Sequence, residues 1–161
     1  MKYFLAFPFF LMLLLAGCHS KPEDFSLVYT MESVNNYRIS IEIDKDKKFT
    51  VRQQNIFFDT FAGKDQINTS EGQMTGEEHA ALTELIYRSR LFKMKDAYGF
   101  KQNVDPDDPL GGFIYQLTYT EGKKTKYISI RTNKTDRFPE PFLQLISFLN
   151  KYISNNVSDL L

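Results

Sequence analysis

The sequence predicts an α+β fold, a two-layer antiparallel β-sheet with two helices packed on one face. Two kinds of periodicity and their order carry this. Tyr37, Ile39, Ile41 and Ile43 alternate with Arg38, Ser40 and Glu42, the period-two pattern of a half-buried strand. Phe142, Leu145, Ile146, Leu149, Tyr152 and Ile153 recur at the spacing of one helix face. The segments run strands, helix, two strands, helix, and the last helix has only the sheet as a large apolar surface to pack on. Strands with one apolar and one charged side need a cover on one side only.

The chain opens with a different kind of segment. A short cationic start (Met1, Lys2), an apolar core from Tyr3 to Leu15 and small residues before Cys18 have the three parts of a signal peptide. The apolar core is thirteen residues long, whereas a spanning helix needs about 20. Pro8 also interrupts its hydrogen bonding. Leu15-Ala16-Gly17-Cys18 resembles a bacterial lipobox. That resemblance implies removal of residues 1–17, a thioether-linked diacylglycerol on Cys18, and a membrane partner reached through this lipid. Two or three acyl chains make a durable anchor where one is marginal. His19, rather than Asp, follows the cysteine. Among lipoproteins of proteobacterial type this resembles the class sorted to the outer membrane rather than the inner.

Residues 18–24 then read as the lipidated cysteine and a short tether, and residues 25–161 as a single globular domain. The six residues from His19 to Asp24 reach about 20 Å when extended, which keeps the body close to the bilayer. Cys18 is the only cysteine, so no internal disulfide forms and the domain is held by packing. Without residues 1–17 the chain carries 19 basic and 20 acidic residues. Near-neutrality and the lack of a basic run argue against a polyanion partner, whether nucleic acid or acidic lipid. Neither a cofactor nor a metal is called for: the lipobox resemblance commits the adjacent Cys18 to lipid, and the nearby chain gives His19 no further cysteine and no second histidine to complete a metal site.

The elements follow in order. Phe25, Leu27, Tyr29 and Met31 alternate with Ser26, Thr30 and Glu32, apart from Val28. Asp44-Lys45-Asp46-Lys47 is a polar reversal, after which Phe49 and Val51 resume the alternation as the second arm of a hairpin. Ile56 to Phe61 is aromatic without clear alternation, and a further strand fits Gln66 to Gln73. Phe57, Phe58 and Phe61 are candidates for a binding surface if exposed together, or for core packing if not. Thr75-Gly76-Glu77-Glu78 has the form of a capping box, followed by an apolar stripe of Leu82, Leu85, Ile86 and Ser89.

His79, in the first helical turn, lacks a Ser, Cys or second His to complete a catalytic set. In the loop Asp105 to Gly112, an EF-hand count from Asp105 puts Leu110 at the sixth position and Gln116 at the twelfth, so that motif fails. Asp105, Asp107 and Asp108 retain the option of a non-EF cation site, against a solvated turn shaped by Pro106, Pro109, Gly111 and Gly112. Phe113, Tyr115, Leu117 and Tyr119, the reversal Glu121-Gly122, and Ile128 with Ile130 make a second hairpin. Pro141 suits the first turn of the last helix.

Tyr37 to Ile41, Phe49-Thr50-Val51, Glu71 to Thr75 and Asp96-Ala97-Tyr98 together resemble a domain family of uncharacterised activity found in lipoproteins of Bacteroidetes-type bacteria. Members often carry cysteines before the first tyrosine, where this chain has Val34-Asn35-Asn36, so no redox role falls on that loop here. The resemblance implies a fold and a location, not a chemistry. The function expected is a non-catalytic binding module at the bacterial envelope, contacting a protein or cell-wall partner. The alternatives are a structural accessory of an envelope assembly, or a hydrolase that would need Asp59, His79, Asp96, Asp105, Asp107 or Glu121 to converge in one pocket.

Overall fold

Short alternating strands need neighbours for their backbone groups and a second layer for their apolar side. The computed structural model describes residues 21–22, 24–33, 37–55, 67–99, 113–131 and 137–156, and it meets both needs with one sheet and one pair of helices. The strands are β1 (Phe25–Ser33), β2 (Tyr37–Ile43), β3 (Lys48–Gln54), β4 (Ile67–Gln73), β5 (Ala97–Tyr98), β6 (Phe113–Glu121) and β7 (Lys124–Arg131). The helices are α1 (Gly76–Ser89), followed by a 3-10 turn at Leu91–Lys93, and α2 (Glu140–Asn156).

The sheet runs β4-β3-β2-β1-β6-β7-β5. The first four strands form a meander to one side of β1, and the β6–β7 hairpin joins its other edge, so the first strand ends at the centre of the sheet. These pairings are antiparallel. The one addition to the expected sheet is β5, which pairs in parallel with β7 through Ala97 opposite Ser129 and Tyr98 opposite Ile130. Two residues cannot display alternation, so the sequence gives no strand signal there. The pairing is fixed instead by Ser129 N donating to Asp96 O at 2.8 Å and by the Tyr98 ring against Phe138 at 4.9 Å.

Register places one cross-strand row, Val51–Ile41–Tyr29–Leu117–Ile128, beneath the helices with every member buried. Helix α1 adds Leu82 and Ile86, and α2 adds Phe142, Leu145, Leu149, Tyr152 and Ile153. Side chains of this size contribute roughly 1.5–3 kcal/mol each before entropy is counted. The buried Tyr29 also carries a polar tip, and its hydroxyl donates to Asn150 Oδ1 at 2.7 Å, tying the central strand to α2.

Local chemistry sets the boundaries. Asp44 Oδ1 accepts from the backbone of Asp46 and Lys48, and Lys47 takes the left-handed conformation that closes the β2–β3 reversal. At the β6–β7 hairpin the positive φ falls on Gly122, where it carries no steric cost. The Thr75 capping box forms as the sequence predicts, with Glu78 N donating to Thr75 Oγ1 at 3.2 Å and Thr75 N donating to Glu78 Oε2 at 2.8 Å. Arg90, at φ 50°, ends α1. Gly72 has a different duty, because the Phe49 ring lies across it. A Cβ there would stand 2.5 Å from a Phe49 ring atom.

Candidate functional site

The helices cover one side of the sheet and, among the described residues, no helix covers the other. Alternation puts the charged and hydroxyl-bearing residues of β1, β2, β3, β6 and β7 on that open side. Register assembles them into rows. One reads Glu71–Thr50–Glu42–Val28–Thr118–Tyr127, and the next Thr69–Arg52–Ser40–Thr30–Gln116–Ser129. Six strands at about 4.8 Å spacing make each row about 24 Å wide.

Two ion pairs fix part of this face. Arg38 donates to Glu32 Oε2 from both Nε (2.9 Å) and Nη2 (2.8 Å), and Arg52 Nη1 lies 3.2 Å from Glu42 Oε2. Thr120 and Thr125 share a hydroxyl hydrogen bond at 3.1 Å. Val28, at 36% exposure, and Tyr127, at 46%, are accessible in one row with Glu42, Thr50 and Thr118. An accessible tyrosine ring among hydroxyls, amides and paired charges can make both apolar and hydrogen-bonded contacts with a partner.

A second concavity lies on the helix side. Its volume is about 490 Å³, and it is lined by Pro22, the end of α1, the 3-10 turn, the end of β6 and Pro141. Arg88, Arg90 and Lys93 are exposed at it, together with Phe92, whose ring packs on Tyr119 at 5.4 Å. The chain enters the body at this place. Lys21 Nζ sits 2.7 Å from Glu84 Oε2 on α1, and Pro22 is buried. The Glu84 carboxylate raises the Lys21 pKa through their hydrogen bond, and Lys21 lowers that of Glu84. Part of the tether read from the sequence is thus seated on the body. No periodic signal could have disclosed a pair formed between Lys21 and Glu84.

The residues singled out from the sequence divide as follows. Cys18, Phe57, Phe58 and Phe61 lie outside the described residues, as do His19, Asp59, Asp105, Asp107 and Asp108. His79 stacks on Phe25, with ring centroids 5.3 Å apart. Burial, and after it the Lys47 charge, holds its imidazole below the ordinary histidine range. Asp96 pairs with Lys126, and the Lys126 ammonium also donates to the carbonyl of Met94. Glu121 accepts from the Tyr119 hydroxyl at 3.1 Å. These three candidates are thus each occupied by a separate local contact. Among the described residues no group of three or more His, Cys, Asp and Glu side chains is arranged to hold a metal ion. No described helix is long and apolar enough to cross a membrane.

No protein-family model matches the chain, and no curated protein matches it. A functional reading accordingly rests on the residues and their arrangement.

Proposed function

We propose that this chain is a lipoprotein of the bacterial envelope, anchored through lipid on Cys18 and sorted to the outer membrane rather than the inner. Its folded body is a non-catalytic binding module that takes a protein or cell-wall partner on the open face of the sheet. The observation that carries the binding role is the face itself, which no helix covers among the described residues. Polar and apolar groups stand in register there over about 24 Å, with Val28 and Tyr127 accessible and two arginine–carboxylate pairs already oriented. The anchor is supported by the lipobox-like Leu15-Ala16-Gly17-Cys18 and by the entry of the chain at Lys21 and Pro22, close behind that cysteine.

The test is a crosslinking pull-down from native envelopes with the intact protein and its Cys18→Ser form. The proposal expects the intact protein to fractionate with membranes and to yield a defined crosslinked partner. The Cys18→Ser form should leave the lipidated fraction. Sedimentation of both forms alike would overturn the lipid anchor. Absence of any adduct from open-face positions would overturn the binding role.

A further inference from the structure

We propose that the groove between Pro22 and Phe92 is the face this body presents to the bilayer, and that Arg88, Arg90 and Lys93 there contact the phosphates of anionic phospholipids while Phe92 enters the headgroup region. This rests on the Cys18 anchor proposed above and adds an orientation to it.

Chain length carries the first step. Lys21 is paired to Glu84 and Pro22 is buried in the groove wall, and only His19 and Ser20 stand between Lys21 and Cys18 in the sequence. From Cys18 to Lys21 is three residue steps, about 11 Å when extended. A sulfur whose acyl chains lie in the bilayer therefore holds this end of the body within about 11 Å of that surface, comparable to the roughly 10 Å Debye length at 0.1 M ionic strength. The open face of the sheet lies on the side of the strands away from the helices that wall this groove, so the two surfaces do not compete.

Charge carries the second step. The chain is formally neutral overall, yet three cations line this groove against one acid, Glu121, which already accepts from Tyr119. Guanidinium groups match phosphate oxygens in geometry as well as charge. Phe92 is 39% exposed beside them, and an aromatic ring flanked by cations suits the interfacial zone. Apolar exposure and positive charge together fit an anionic lipid surface, since a neutral partner would leave the cations unmatched.

The experiment uses the full lipidated protein reconstituted in vesicles of phosphatidylethanolamine and phosphatidylglycerol at about three to one, with phosphatidylcholine vesicles as the uncharged comparison. Because the Cys18 sulfur is occupied by lipid, a single introduced cysteine is the only free thiol for a fluorophore. Labels at Phe92→Cys and Lys93→Cys should be quenched several-fold more strongly by a headgroup-level quencher than a label at Tyr127→Cys. Keeping two groove positions guards against a packing defect at Phe92. The excess quenching at both positions should fall in phosphatidylcholine, and that of the Phe92→Cys label should fall also in the triple variant Arg88→Glu, Arg90→Glu, Lys93→Glu, while the protein still floats with the vesicles. Flotation with equal quenching at all labelled positions overturns the orientation alone. An unmodified Cys18 sulfur with no flotation overturns the anchor reading and this inference with it.

Discussion

The two faces of the sheet are built from the same strands and obey opposite rules. On the helix side, Ile41, Tyr29 and Leu117 stand in one row with almost no exposure, and a change of one methylene is felt by all of them. On the other side, Thr50, Glu42, Val28 and Thr118 share an equally regular row without a covering helix among the described residues. Stability resides in the first row. The second bears little of that load, and the proposed function assigns it to recognition.

The largest way to break that contrast is a cavity on the helix side. Phe142→Ala should lower unfolding free energy by roughly 3–5 kcal/mol, read from chemical denaturation. The residue is buried and its ring meets Phe138. Gly72→Ala comes next. The added methyl must displace the Phe49 ring, which packs edge-on against Tyr152 at 5.2 Å, and a cost of about 1–3 kcal/mol is expected from such overpacking. Tyr29→Phe removes the donor to Asn150 and should cost about 1–2 kcal/mol, measured in the same way.

Alkaline unfolding sharpens the comparison in another way. Burial, with the Glu78 charge second, pushes the Tyr152 phenol up to about 12, and burial also raises Tyr29, Tyr115 and Tyr119. A group with a raised folded-state pKa stabilises the fold fully below its unfolded value, near 10, and that contribution is lost as pH climbs through the folded value. Stability should therefore fall from about pH 10 toward 12 and beyond. Tyr152→Phe should flatten part of this decline, as followed by circular dichroism at fixed denaturant.

At the small end are the open-face pairs. Glu42→Ala and Arg52→Ala, singly or together, should each move stability by less than about 0.5 kcal/mol, because the pair is exposed. A larger loss would mean that this face is structurally constrained after all.

Legibility in the sequence follows the same division. Alternation disclosed the strands that bury one side, and Tyr37 to Ile43 shows it most cleanly. The capping box at Thr75 and the apolar face of α2 were equally plain, because their signals lie within a few residues. Strand β4 has little apolar content and lies at the edge of the sheet, so alternation marks it only weakly. The β5 pairing, the seating of Lys21 on Glu84 and the crossing of Gly72 by Phe49 depend on residues brought together by the fold. The same holds for the candidate surface. Each strand announced a polar side, but only register shows that Arg38 meets Glu32 and that Val28 and Tyr127 share a row.

The central claim is that the open face does the binding. The most direct measurement is photo-crosslinking in native envelopes with the reactive group placed in turn at Thr50, Thr118 and Tyr127 on that face, and at Leu143, which is exposed on α2. One shared adduct is expected from the three sheet positions and none of that mass from Leu143. The same adduct from Leu143 with none from the sheet would contradict that claim.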